Sequence, residues 1–336
     1  MSIQIIRQTA CARAGVIGNP SDGYFGKTIS VILPPYCARV TVYEWDELEI
    51  VMCEKNNRFR TLDDLVRDVR QHGYYGGIRL IKASIKRFAE YCRQYGIALH
   101  DRTFSIRFET NIPRQVGMAG SSAIIVAALR ALMEFYDVTI PKYLLPSLVL
   151  SIEQCELGIS AGLQDRVIQV YEGMVYMDFS REKMRTENGL EYGFYEPIQL
   201  DPANLPPLYI AFKTEVSEPT EILHNDLRHR WNDGVPEVHA AMKRFAELTD
   251  LAKAAILDQN WPRLGELMNA NFDLRRKICK IAHGQIEMVE LARTVGVSAK
   301  FAGSGGAIIG TFSDEATYNK LVQTMNDVGC TVKKVF

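Results

Sequence analysis

Between residues 104 and 133 the hydrophobic period of the chain changes once. Phe104, Ile106 and Phe108 alternate with Ser105 and Arg107, the two-residue repeat of a half-buried strand, and Pro113 stops it. From Ala123 to Met133 the run Ala-Ile-Ile-Val-Ala-Ala-Leu-Arg-Ala-Leu-Met predicts a helix that fades at Asp137, with Ser121 or Ser122 as its N-cap. Between strand and helix lies Ile112-Pro113-Arg114-Gln115-Val116-Gly117-Met118-Ala119-Gly120-Ser121-Ser122. Glycine-rich backbone entering a helix N-terminus offers free N–H groups and the positive dipole end to an anion, and phosphate is the expected guest. No Lys-Ser or Lys-Thr follows the second glycine, so this is not the Walker pattern.

Patterning elsewhere predicts strands over Gln4–Ala14 and Thr28–Leu33, around a turn containing Gly18, Asn19, Pro20, Ser21, Asp22 and Gly23. One or two further strands are expected in Arg39–Glu54. Thr61-Leu62-Asp63-Asp64 opens a short helix ending near His72-Gly73, and Ile78–Tyr95 is a longer one with Ile78, Ile81, Ile85, Phe88 and Cys92 on one face. Leu144–Leu157 reads as a helix closed by Gly158, and Gly173–Phe179 as a strand. The polar, turn-rich stretch Ser180–Pro207 marks a boundary between an amino-terminal domain, 1–205, and a carboxy-terminal one, 206–336. The second half predicts a strand at Leu208–Phe212 and two or three helices between Glu218 and Leu291. Strand, glycine turn and strand follow over Ala299–Phe312, then a helix and a last strand at Thr331–Val335. An α+β protein of two lobes is expected.

Composition narrows the function classes. Thirty-nine Lys and Arg balance 40 Asp and Glu with no long basic run, so a nucleic-acid partner is not expected. No apolar run approaches membrane-spanning length, and the first residues lack a signal-peptide pattern. Seven cysteines, never in CxxC spacing, point to reduced thiols in a cytoplasmic setting and away from a zinc site. Oligomeric state is not legible.

Three clusters carry polar groups in turns. In Ala12–Asp22 a strand with Arg13 ends in a glycine turn presenting Asn19, Ser21 and Asp22. Glu153 sits late on a helix, and the flexible turn Gly158–Gln164 leads to Asp165 and Arg166. In Lys300-Phe301-Ala302-Gly303-Ser304-Gly305-Gly306, three glycines in four residues let backbone approach a phosphate or make a hairpin.

Together, in this order and spacing, these segments resemble the three motifs and acidic residues of the GHMP kinases, over residues 12 to 307. The phosphate loop resembles the family's PxxxGLGSS, with Met118 and Ala119 where Leu and Gly are usual. Within the family, Ala12–Asp22, Tyr24–Thr28 and Ala161–Arg166 are similar to glucuronokinases. The resemblance implies a two-domain fold, an amino-terminal β/α (ribosomal-protein-like) domain and a ferredoxin-like carboxy-terminal one closing an ATP cleft. It implies ATP-dependent phosphorylation of the anomeric hydroxyl of a sugar acid, D-glucuronate to its 1-phosphate. Asp165 matches the catalytic acid and Arg13 the arginine beside it. Gly117, Met118, Ala119, Gly120, Ser121, Ser122 and Gly303, Ser304, Gly305, Gly306 match the phosphate-binding turns, and Ser122 and Glu153 the Mg²⁺ ligands. Asn19, Asp22 and Arg166 fall to the substrate. Galactokinases carry Glu-His where Asn19-Pro20 stand here; a glutamate would repel a uronate, whereas an amide can donate to it. Galacturonate, arabinose and galactose stay open as substrates, as do the family's decarboxylase chemistry and a non-catalytic sensor.

Overall fold

The computed structural model describes residues 5–51, 56–59, 61–66, 78–213 and 221–336. Its spine is β2 (Lys27–Glu44), whose one edge pairs antiparallel with β1 (Ile5–Ile17) along nearly its whole length. The other edge is shared: residues 38–44 pair with β5 (Phe104–Thr110) and residues 27–31 with β6 (Met174–Asp178). Adding β3 (Leu48–Val51), β4 (Asn56–Phe59) and β9 (Phe194–Pro197) completes a seven-stranded sheet, while β7 (Arg185–Glu187) and β8 (Leu190–Tyr192) form a separate hairpin.

β2 is one strand where the sequence suggested two. It runs through Pro34-Pro35 because the β1 register jumps from Cys11↔Cys37 to Ala12↔Leu33, leaving residues 34–36 out of that ladder. Proline has no N–H for a ladder, and a bulge is where it is tolerated. Helix α2 (Gly120–Phe135) packs on this sheet through Ile125, Ala128, Leu129 and Leu132, and α1 (Arg79–Gln94) packs beside it through the predicted stripe Ile81, Ile85, Phe88 and Cys92, all in one buried cluster. A helical turn occupies 62–66; the expected end of that helix, His72-Gly73, lies outside the described residues.

The Leu144–Leu157 helix is only in part α-helical. Helix α3 (Leu145–Ser151) passes into a π-helical turn, Ile152–Glu156; the turn expected over Gly158–Gln164 is there as far as Gly162, and α4 (Leu163–Tyr171), which the pattern did not predict, follows it. A π turn advances the side chains out of step with the helix, a device common at functional sites, and here it carries Glu153.

The second sheet, in the order β11 (Lys300–Phe301), β12 (Ala307–Thr311), β10 (Leu208–Lys213), β13 (Cys330–Lys334), is antiparallel throughout. Among the described residues, four helices and not two or three touch the Glu218–Leu291 stretch: α5 (Glu221–Asn232), α6 (Pro236–Leu257), α7 (Trp261–Ile278) and α8 (His283–Thr294); α9 (Glu315–Asn326) follows. Along β10, Tyr209 and Ala211 join a cluster with Phe272, Val289 and Leu321, while Ile210 and Phe212 join the larger core with Leu248 and Ala252. The two-residue period of the strand thus ties the two sheets into one packed body.

Gly18, which ends β1's approach to the site, has φ +91, and a Cβ there would run into Lys27 O, Thr249 Oγ1 and Thr28 Cα. Gly18→Ala is therefore expected to lose more than about 2 kcal/mol through strain and backbone clash. The midpoint of urea unfolding checks this; an unchanged midpoint would contradict the packing described.

Candidate active site

Strand β1 delivers Arg13 to the place where three distant segments meet. Its guanidinium makes a fork with Asp165, Nε to Oδ1 at 2.6 Å and Nη2 to Oδ2 at 2.7 Å. The remaining nitrogen, Nη1, donates to Gly117 O (2.6 Å) and Ala302 O (3.2 Å). Arg13 is 6% exposed. A buried guanidinium with its planar donors filled is a fixed cation, and only arginine presents that fork.

The two glycine turns interlock around it. A Cβ on Gly303 would strike Gly117 O and lie 2.7 Å from Arg13 Nη1, and one on Gly117 would strike Gly305 O. A Cβ on Gly306 would lie 3.0 Å from Val116 Cα, a looser but still tight approach. Glycine at these positions lets backbone pass backbone. Met118 sends its side chain into the core and offers only its backbone here. Ser304 stands partly open beside Gly117.

The start of α2 differs from the expected serine cap. The helix begins at Gly120, the N-cap is Ala119 in the left-handed region (φ 59), and no side chain caps it. The serines therefore lie inside the first turn and point apart. Ser121 Oγ donates to Glu153 Oε1 at 2.8 Å. Ser122 is fully buried and its hydroxyl turns back to Ala119 O. Of the two serines, Ser121 is the one whose hydroxyl meets Glu153 in this structure, while that of Ser122, the expected metal ligand, lies one residue further along the same turn. A hydroxyl and a carboxylate oxygen side by side suit a hard cation that keeps waters and phosphate oxygens for its other positions, so the donors present fit Mg²⁺.

Arg166, expected at the substrate, lies between Glu153 and the Gly162 turn. It is buried, with Nε 2.6 Å from Glu153 Oε2, Nη2 on the same oxygen and Nη1 on Gly162 O. Burial opposes its charge, but Glu153 and then Asp165 outweigh that and raise its pKa. Its donors are committed within the protein. Lys27, another cation near the first motif, pairs with Asp250 and lies 3.8 Å from Asp178.

Asp22 sits over Gly162, where a Cβ would collide with its Oδ2. Burial, then the charge of Asp165, pushes its carboxyl up to about 6, with Arg13 and Arg166 pulling back. Asn19 is buried at 6% exposure. Its Nδ2, the end expected to face a ligand, faces Gly303 O at 3.5 Å, while Oδ1 has no partner.

Helix α7 supplies residues that the motifs did not reveal. Asn271 accepts from Gly18 N (2.7 Å) and donates to Asn19 O (3.1 Å), shaping the first turn. Arg275, one helical turn on, donates to Gly303 O (2.8 Å) and Ser304 O (3.1 Å). The signal was present: Leu264, Met268, Asn271, Arg275 and Ile278 share a buried face, and two polar residues interrupt an otherwise apolar stripe. Lys300 is also fully buried, donating to Gly15 O (2.6 Å) and Phe301 O (2.7 Å). Burial first, then the charges of Arg275 and Arg13, drives its pKa well down.

A seven-stranded sheet and a four-stranded sheet holding two glycine turns and an Arg–Asp fork between them define a class. Residues 79–173 match the family described as GHMP kinases N terminal domain. The fold is similar to Methanococcus jannaschii mevalonate kinase (TM-score 0.75, 18% identity, 99% of this chain and 98% of that one). It is equally similar to Lactococcus lactis galactokinase complexed with galactose (TM-score 0.78, 16% identity, 98% and 93%). In sequence, the chain is 43% identical over 312 residues to Glucuronokinase 1 of Arabidopsis thaliana, covering 90% of this chain and 84% of that protein. Probable glucuronokinase 2 of the same plant is 43% identical over 314 residues, 91% and 84%. The chain belongs to the GHMP kinase family.

Because the folded pKa of Asp22 lies above the ordinary 3.8, the fold favours its protonated form. Its ionisation costs nothing below about pH 4, and the cost grows until pH passes about 6. Asp22→Asn should therefore stabilise the ligand-free protein at pH 8, by something on the order of 2 kcal/mol, and hardly at pH 4. Thermal melts at both pH values check this; an equal shift at both would contradict it.

Proposed function

We propose that the chain transfers the γ-phosphoryl group of ATP to the anomeric hydroxyl of a sugar acid, with D-glucuronate as substrate. One observation carries the reading: the Asp165 carboxylate is held in a fork by Arg13 where two backbone-lined glycine turns touch. The choice of glucuronate draws its support from the two Arabidopsis glucuronokinases, to which the chain is similar over nearly all its length.

The arrangement suits the reaction. A carboxylate oxygen can accept more than one hydrogen bond, so Asp165 accepts one from the anomeric hydroxyl and aims its oxygen. That oxygen bonds to the γ-phosphorus as the bond to the β–γ bridging oxygen breaks. ADP leaves and the hydroxyl proton passes to Asp165, then to solvent. Arg13 holds the Asp165 carboxylate in place and stands beside the charge spreading over the transferred group. Backbone N–H groups from Gly117 to Ser121, at the start of α2, and from Gly303 to Gly306 hold the phosphates. Asp22 accepts from ring hydroxyls. Ser121 and Glu153 would hold Mg²⁺, which when bound supplies charge neutralisation across the ATP phosphates. Positioning and electrostatics are most of what such a transfer requires.

Domain limits of 1–205 and 206–336 fit this division, since strands up to Pro197 belong to the first sheet or its hairpin and those from Leu208 to the second. A cytoplasmic setting fits the pool of ATP and the spread of cysteines, and no helix among the described residues is long and apolar enough to cross a membrane.

ATP consumption with Mg²⁺ across glucuronate, galacturonate, glucose, galactose and arabinose is expected to be greatest on glucuronate. Asp165→Asn should lower kcat there by about 10²- to 10⁴-fold. Turnover on another sugar alone would discard the substrate, and turnover indifferent to Asp165→Asn would discard the base.

A further inference from the structure

Two cysteines that the site does not use face each other across β1 and β2. Cys11 and Cys37 are the last directly opposed pair before the register jumps to Ala12↔Leu33. Both thiols are free and half-buried. Cys37 turns its backbone away from β1: its N–H donates to Asn111 Oδ1 (2.7 Å), and its carbonyl accepts from Asn111 N (3.3 Å). In the β1–β2 ladder the two cysteines are therefore a non-hydrogen-bonded pair, the kind whose side chains stand closest. Their sulfurs meet. The Cys11 thiol donates to Cys37, and the Cys37 thiol donates in turn to Pro34 O at 3.1 Å. By contrast, Cys92 and Cys330 lie buried in apolar clusters, and Cys155 is exposed.

The two thiols differ in role. Burial first, then the hydrogen bond to Cys37 and the charge of Cys37, push Cys11 up to about 12, with Glu172 adding and Arg130 opposing. Cys11 keeps its proton, so of the two Cys37 is the attacking sulfur. The Cys37 thiolate attacks a peroxide oxygen, the O–O bond breaks, and the leaving hydroxide takes up the thiol's proton as water. Cys37 is then a sulfenic acid. The Cys11 sulfur, already in contact, attacks it; the S–O bond breaks, and the departing hydroxide takes the Cys11 proton as water. Two thiols are oxidised to one disulfide, and one hydrogen peroxide is reduced to two waters. The place of the bridge matters for the site. Two residues past Cys11, Arg13 N–H donates to Met118 O (3.3 Å), and Gly15 N–H donates to Ala302 O (2.6 Å). This length of β1 holds both glycine turns as well as the Arg13 fork. Disulfides prefer Cα atoms about 5.5–6 Å apart, against about 4.5 Å in a non-hydrogen-bonded pair. Closing the bridge therefore moves β1 from β2 by about 1 Å where the register jumps.

We propose that Cys11 and Cys37 are an oxidative modification site, closed by hydrogen peroxide into a reversible disulfide that shifts β1 beneath Arg13 and slows phosphoryl transfer. The bridge and the shift stand on the sheet geometry alone; the effect on turnover rests on reading the site as a sugar kinase.

The experiment treats the reduced protein with hydrogen peroxide and returns half of it to dithiothreitol. Wild type, Cys37→Ser and Cys11→Ala are compared by peptide mapping without reduction, by hydrogen exchange of the Arg13 amide, and by kcat. The expected result in the wild type is a peptide pair joined through Cys11 and Cys37 and faster exchange at Arg13. With it, kcat should fall by about tenfold, the scale of a misplacement near 1 Å, and dithiothreitol should restore all three. Each variant should keep the kcat of the reduced wild type and lose the response to peroxide. A wild type that forms no such bridge at a dose that oxidises Cys155 would overturn the proposal. So would a bridge that leaves exchange at Arg13 unchanged, or a loss of kcat that is equal in the variants. Absence of turnover in the reduced protein would overturn the kinase reading, and mapping with exchange would still decide the thiol pair.

Discussion

The fork between Arg13 and Asp165 is the interaction on which the rest of the site depends. It joins residues 152 positions apart in the chain, and the same guanidinium holds Gly117 O and Ala302 O. One side chain therefore fixes the distance between an acid, the turn that opens α2 and the turn between β11 and β12. A lysine at position 13 would keep the charge and lose the geometry. The glycines are consequences of that closeness, since the two turns touch through backbone at Gly117, Gly303 and Gly305.

Around the fork, charge is concentrated beyond what burial favours. Arg13, Arg166, Arg275 and Lys300 are all buried, and only the first two have carboxylate partners. Arg275 and Lys300 rest on carbonyl oxygens, and burial lowers the pKa of each. Opposite them Asp22 is held short of easy ionisation. Buried guanidinium groups gathered around two glycine turns suit a site for an anion. Phosphates and a sugar acid bring that charge. Substrate binding and electrostatic relief are then the same event, a sharper form of the rule that perturbed groups gather where chemistry happens.

Much of this was legible in the sequence, and the limits have physical causes. The strand, glycine loop and helix around residue 117 followed from a change of hydrophobic period, and the order of the motifs pointed to the family. Which serine faces Glu153 did not follow, because it depends on α2 starting two or three residues early, from a left-handed conformation at Ala119 that alanine rarely adopts. The π turn under Glu153 is out of step with a 3.6-residue reading, and helix α4 under Asp165 is a nine-residue helix squeezed between a glycine turn and a strand. β2 looked like two strands because Pro34-Pro35 breaks any ladder that lacks a bulge to absorb it. Arg275 was overlooked for a different reason: a polar residue in a buried stripe reads as a helix edge until its partners, 28 residues on, are placed.

The measurement that bears most directly on the account is the position of the new phosphate. Incubation of the protein with D-glucuronate, ATP and Mg²⁺, followed by phosphorus NMR of the product, should show a phosphate ester coupled to the anomeric proton, appearing in step with ADP. A phosphate coupled to any other ring proton, or ADP formed with only inorganic phosphate, would contradict the role given to Asp165 and the placement of the sugar between Asp22 and the glycine turns.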